Sequence, residues 1–243
     1  MKARTIIRFF GFALLGMATM AQAAPLVVLE ARGINLKPGA TIDSARPISL
    51  KEGERLTLIA STGVTIKLRG RYSGPPLAAN DKRQSLSPQQ AIDALINTRA
   101  ARSSSIGAVR SGGNAVPVPD PWLVDISRPG ARCAREGKQI IWWRPVSTGA
   151  QPFVVLPIDK SWRADFSWQD NQDQMAAPRL AKLDGTKLFM ISNAGQDSVI
   201  EMNFIPDAGL SDIVLAAWMM EKGCLQQADA LLLAMKKQNS LTK

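Results

Sequence analysis

Short apolar runs that alternate with polar residues, each cut off within a few positions by glycine or proline, constrain this chain most. In Val64-Thr65-Ile66-Lys67-Leu68-Arg69, the side chains of Val64, Ile66 and Leu68 fall on one face and those of Thr65, Lys67 and Arg69 on the other. That is the period of a half-buried strand. Shorter runs at 26–29, 48–50 and 56–59 precede it, separated by Lys37-Pro38-Gly39 and Lys51-Glu52-Gly53-Glu54, with Ser61-Thr62-Gly63 as a tight connection. Gly70, Gly74, Pro75 and Pro76 close the unit, so residues 24–76 read as a small antiparallel β-module.

The composition then changes. Ser87-Pro88-Gln89-Gln90 is a helix start: Ser87 is the cap, Pro88 suits the first turn, and Gln90 is placed for a capping box. Ile92, Leu95 and Ile96 fall on one face of a helix that reaches about Arg102. Serines and glycines over 103–113 read as a flexible linker, so 77–119 joins two structured parts. Candidate strands return at 122–126, 139–144, 153–156, 162–168, 187–191 and 198–204, with Asp184-Gly185 in a turn. Asp120, before Pro121-Trp122, initiates another. Short strands between regular turn signals predict a β-sandwich of immunoglobulin-like type over 120–206. Residues 207–243 read as a helical hairpin packed on it. Leu210, Ile213, Val214, Ala217 and Trp218 lie on the first helix, Gly223 stands just past its end, and Ala228, Leu231, Leu232 and Met235 lie on a second helix ending near Lys236. The expected fold class is mainly β, with two small antiparallel β-domains and a C-terminal helical hairpin.

The first residues speak of location. Lys2, Arg4 and Arg8 precede an apolar run to Met20, and Ala21-Gln22-Ala23 ends it with small residues. This is the pattern of a secretory signal peptide (1–23) cut after Ala23, and it predicts a periplasmic protein. Three of the 30 basic residues and none of the 20 acidic ones precede the cut, which leaves a net charge of +7. The basic residues are scattered without an aromatic ladder, so nucleic acid is not an expected partner. A diffuse positive surface suits an anionic membrane surface or an acidic protein.

The chain has no histidine. That removes the commonest general base and metal ligand and every Ser-His or Cys-His nucleophile pair. Nothing in the sequence points to a catalytic residue, a metal or a cofactor. Cys133 and Cys224, 91 positions apart, are an even count for an oxidising compartment, either paired or as two buried thiols. Paired, they would stabilise the fold by about 4–5 kcal/mol through loop closure.

Ile34-Asn35-Leu36-Lys37-Pro38-Gly39, Ile48-Ser49-Leu50-Lys51-Glu52-Gly53, Leu56-Thr57-Leu58 and Ile66-Lys67-Leu68-Arg69-Gly70 together resemble a FecR-like periplasmic β-domain. The part from Asp120-Pro121-Trp122 through Trp142-Trp143-Arg144-Pro145 to Gly223-Cys224-Leu225 resembles exported proteins of proteobacteria. FecR-like proteins relay a signal across the inner membrane, so the resemblance implies work by protein contact in the envelope.

The candidate binding surface is Trp142, Trp143, Arg69 and Arg71. Adjacent Trp142 and Trp143 point to opposite sheet faces, which leaves one ring free to stack on a sugar; packing in a core is the other role open to them and to Trp162 and Trp168. Asp159, Asp165, Asp170 and Asp173 match no calcium-loop spacing and read as turn carboxylates. The face made by Leu231, Leu232 and Met235 suits either a partner helix or its own neighbour. The function expected is a non-enzymatic periplasmic binding or scaffolding protein with an envelope protein partner; the alternative is a peptidoglycan-binding accessory module.

Overall fold

The alternation over 64–69 becomes the edge strand of a sheet. The computed structural model describes residues 25–77, 86–105, 116–177, 188–193 and 196–241, so the expected signal peptide, most of the Ser/Gly-rich stretch and the turn at Asp184-Gly185 lie outside the described residues. The first β-unit comprises β1 (Pro25–Arg32), β2 (Thr41–Asp43), β3 (Ile48–Leu50), β4 (Arg55–Ala60), β5 (Thr65–Arg69) and β6 (Tyr72–Gly74). Four strands pair antiparallel in the order β2-β1-β4-β5, while β3 and β6 form a separate ribbon. In the turn between β4 and β5, Gly63 takes φ +78° and its N–H donates to the Ala60 carbonyl at 2.8 Å. One face of the sheet buries Leu26, Val28, Leu56, Leu58 and Leu68 together with Leu50 of the ribbon.

The second β-unit has, among the described residues, eight strands: β7 (Leu123–Asp125), β8 (Gly130–Arg135), β9 (Ile141–Trp143), β10 (Gln151–Pro157), β11 (Ala164–Trp168), β12 (Gln174–Ala176), β13 (Leu188–Asn193) and β14 (Gln196–Ile205). They form a five-stranded sheet, β11-β10-β13-β14-β8, and a three-stranded one, β12-β9-β7. A shared apolar cluster takes Phe153, Val155, Trp168, Phe189, Ile191, Ile200 and Met202 from the first and Val124 and Trp142 from the second. Not every pairing is antiparallel, contrary to expectation: β8 runs parallel to β14, and β7 parallel to β9. The cause is β8, a strand whose sequence Gly-Ala-Arg-Cys-Ala-Arg carries no β-branched or aromatic residue and gives no periodic signal. It leaves the sheet that holds β7 and β9 and joins the edge of the other.

Among the described residues there are three helices: α1 (Pro88–Ser105), α2 (Asp212–Glu221) and α3 (Leu225–Leu241). The capping box is formed, with the Gln90 N–H donating to Ser87 Oγ at 3.3 Å and the Ser87 N–H to Gln90 Oε1 at 2.9 Å. Helix α2 stops at a Schellman motif: the Cys224 N–H donates to the Met219 carbonyl at 2.8 Å, the Gly223 N–H to that of Met220 at 3.1 Å, and Gly223 takes φ +78°. Helix α3 is longer than expected. Lys236 and Lys237 lie inside it because the chain beyond them offers neither glycine nor proline to stop it.

The hairpin does not sit on the second β-unit alone. Seven consecutive residues of α2, Val214 to Met220, are buried, the mark of a helix covered all round. Their cluster takes Val27, Leu29 and Ile59 from the first sheet, Ile92 and Leu95 from α1, Cys133 from β8, Ile205 from β14, and Leu231, Leu232 and Met235 from α3. Those last three residues therefore pack inside the chain. The sulfurs of Cys133 and Cys224 lie 2.05 Å apart and form a disulfide between β8 and the start of α3.

Candidate anion-binding groove

The outer face of the four-stranded sheet is divided. Its lower half, with Val27, Leu29 and Ile59, lies under the helices. The upper half is left open where α2 ends, and there polar residues form a grid. Glu30, Thr57 and Lys67 stand side by side across β1, β4 and β5, and the next row is Arg32, Arg55 and Arg69.

A β-bulge makes this grid. The register of β1 against β4 shifts between Val28 and Glu30, so Leu29 has no partner of its own. Without the extra residue, strict alternation would put Glu30 and Arg32 on the face of Val28, inside the apolar core. With it, both turn outward, and Arg32 comes level with Arg55 and Arg69.

The resulting groove has a volume of about 270 Å³ and is lined by five basic and two acidic side chains. Both carboxylates are engaged. Glu30 pairs with Lys222 at 3.2 Å, and Glu221 pairs with Lys67 at 2.8 Å and also with Arg102. Glu221 is the last residue of α2, where the helix dipole disfavours a carboxylate, and its side chain is only 7% exposed. Burial pushes its pKa up, but the hydrogen bonds from Lys67 and Arg102 outweigh that and hold it below the usual glutamate value. The same Arg102 donates to the Met220 carbonyl at 2.8 Å, covering a free group at the helix end.

Arg32, Arg55 and Arg69 are left over. Among the described residues none of the three has an ion pair. Strands are about 4.8 Å apart, so the row spans about 10 Å. Like charges directly opposite each other destabilise a sheet, by about 1 kcal/mol per pair at 4 Å even in bulk water. An anionic group laid across the row removes that repulsion.

No family model, curated protein or solved structure matches this chain. The groove is therefore read from its own chemistry.

Of the four residues singled out from the sequence, one belongs to the groove. Arg69 completes the arginine row, whereas Arg71, beyond the turn, pairs with Glu52 at 2.7 Å. Trp142 and Trp143 do point to opposite faces, but both are buried, at 5% and 3% exposure, so neither offers a ring to a sugar. Trp142 meets Phe166 edge-on at 4.8 Å and Phe153 at 5.7 Å in the core between the sheets. Trp143 packs against Val118 and Leu123, because residues 116–119, read as the end of a linker, fold over that side of β9. The four aspartates are dispersed: Asp159 and Asp170 lie in turns, accepting from the Ser161 N–H at 3.0 Å and the Gly149 N–H at 2.6 Å, whereas Asp165, expected in a turn, lies on β11 and pairs with Arg163, and Asp173 just precedes β12. Among the described residues no group of three or more His, Cys, Asp or Glu could hold a metal ion, and no helix is long and apolar enough to cross a membrane.

Arg32 escaped the sequence reading because β1 reads Pro-Leu-Val-Val-Leu-Glu-Ala-Arg, whose alternation the bulge interrupts, and Arg55 because it opens β4 straight after a turn. The signal the sequence held was four apolar residues in a row, Leu26 to Leu29, before polar residues return at Glu30.

Proposed function

We propose that this chain is a non-enzymatic periplasmic binding or scaffolding protein of envelope assembly or signalling, and that it docks an acidic segment of a partner envelope protein in the groove. The observation that carries the reading is the unpaired row Arg32–Arg55–Arg69. A shallow, open groove with three guanidinium groups in line suits a chain of carboxylates, since each arginine can hold one bidentately. In this reading the FecR-like β-unit is the docking module and the immunoglobulin-like unit its rigid support, joined through the helices. The signal-like start supports the periplasmic placement.

The test is fluorescence anisotropy with a labelled octapeptide of alternating glutamate and valine, whose carboxylates all lie along one edge when extended. Arg32→Gln/Arg55→Gln/Arg69→Gln should weaken binding at least tenfold at 50 mM salt, while Arg71→Gln leaves it unchanged. Equal affinity in the triple variant and the parent overturns the proposal. Retention on cell-wall sacculi that survives the triple substitution would turn the reading to a peptidoglycan-binding accessory module.

A further inference from the structure

Arg144 directly follows β9 and is a buried cation without a counter-charge among the described residues. It is 4% exposed. Its Nε donates to the Gln172 carbonyl at 3.0 Å, one terminal nitrogen donates to Gln151 Oε1, and the other to the Gln169 carbonyl at 3.4 Å. Its guanidinium carbon lies 4.9 Å from the centre of the Trp168 ring. Every one of these partners is neutral. Among the described residues no carboxylate pairs with it. Burial alone draws its pKa down.

Among the described residues one other arginine is buried, and it makes the contrast. Arg132 is 3% exposed, and its Nη2 has the Asp125 carboxylate at 3.9 Å. Burial lowers its pKa as well, but Asp125 opposes the change. One interior guanidinium thus comes with an acid, and the other faces a space. Arg144 borders a cavity of about 130 Å³ whose wall also includes Ser147, Asn193, Phe153 and Trp168. A guanidinium has five N–H donors, and these contacts use three. Two remain for a ligand, from neighbouring nitrogens and at the spacing of a carboxylate's two oxygens.

We infer that this cavity binds a small carboxylic acid as its carboxylate, paired with Arg144, with the short alkyl part against Phe153 and Trp168. Water occupies about 30 Å³ per molecule in the liquid, so the space suits a ligand of roughly four to six heavy atoms. The site is separate from the groove and does not depend on the function proposed for it.

Butyrate is the probe, and butyramide, the same shape without the charge, is its control. Titrated into the full chain and followed by tryptophan fluorescence and thermal shift, butyrate should bind saturably and raise Tm, and butyramide should bind at least tenfold more weakly. Arg144→Lys keeps the charge but loses the two-point fork and should weaken butyrate at least tenfold. Should that variant fail to fold, Ser147→Leu, which fills the cavity from its half-buried wall, should abolish binding with Arg144 intact. The triple variant of Arg32, Arg55 and Arg69 should bind butyrate as the parent does. Equal affinity for the two probes, no saturable signal, unchanged binding in both Arg144→Lys and Ser147→Leu, or loss of binding in the triple variant overturns the inference.

Discussion

Gln227 is where removing one side chain should cost the fold most for its size. It lies on α3 with 0% exposure, and its amide does the work of a missing strand. Oε1 accepts from the Cys133 N–H at 2.6 Å, while Nε2 donates to the Cys133 carbonyl at 2.6 Å and to the Pro121 carbonyl at 2.9 Å. Among the described residues β8 is the last strand of its sheet and Cys133 has no peptide neighbour on that side, and the side-chain amide takes its place. Gln227→Ala orphans three backbone groups at once, and a buried polar group left without a partner costs about 1–3 kcal/mol. Partial entry of water reduces the sum, so the expected loss is about 3–6 kcal/mol, a large part of the ~5–15 kcal/mol that holds a typical domain together. In urea, with a slope of roughly 2 kcal/mol/M, the midpoint should fall by about 1.5–3 M. Gln227→Met, which restores most of the volume but no hydrogen bond, should be nearly as damaging. Gln227→Glu at neutral pH should be worse, because its carboxylate would face two carbonyl oxygens. A loss below 1 kcal/mol in Gln227→Ala, or recovery of stability in Gln227→Met, would refute the account.

Other perturbations have equally definite outcomes. Breaking the cross-link with Cys133→Ala/Cys224→Ala should cost about 4–5 kcal/mol by loop-closure entropy, measured as the midpoint difference between the parent and the double variant. Combined with Gln227→Ala, the two losses should not add, since both act on Cys133. The carboxyl of Glu221 is held below its ordinary value of 4.5, so the stability it contributes is complete above that value and is lost as pH falls through the lower one. Asp229 has the opposite sign: burial outweighs its pairing with Arg99 and raises its pKa, so its ionisation costs stability as pH rises. Urea midpoints between pH 2.5 and 6 should therefore fall less steeply toward acid in Glu221→Gln and more steeply in Asp229→Asn. A β-carbon on Gly70 would lie 2.2 Å from the Lys51 carbonyl oxygen and 2.9 Å from Glu52 Cα, so Gly70→Ala should cost about 1–3 kcal/mol. Gly53→Ala, in open space at φ +83°, should cost about 1–2 kcal/mol from backbone strain alone.

Local chemistry was legible where it was self-contained. The capping box at Ser87 and Gln90, the stop at Gly223 and the Asp120 turn, whose carboxylate accepts from the Trp122 N–H at 2.7 Å, rest on neighbours within a few positions. So does the alternation in β5. What depends on distant partners was not legible. Strand β8 is held by a parallel neighbour from residues 200–205, a disulfide and a glutamine side chain, none of which leaves a period in its own sequence. Trp143 is buried because 116–121 return over it, which no property of residues 139–144 announces. The arginine row needs β1, β4 and β5 in one register and a bulge at Leu29, so three arginines 23 and 14 positions apart look unrelated until the sheet forms.

The helix that closes the interior is made long after the sheet it covers. Val27, Leu29 and Ile59 belong to β1 and β4, yet α2, which covers them, begins at Asp212. A chain that emerges N-terminus first therefore carries an open apolar sheet face until α2 has followed. The groove is unfinished for the same time, because two of its lining residues, Glu221 and Lys222, arrive with that helix. The docking proposed above is in this way tied to α2: a molecule cut short before residue 212 has the arginines but neither the wall beside them nor the cover beneath.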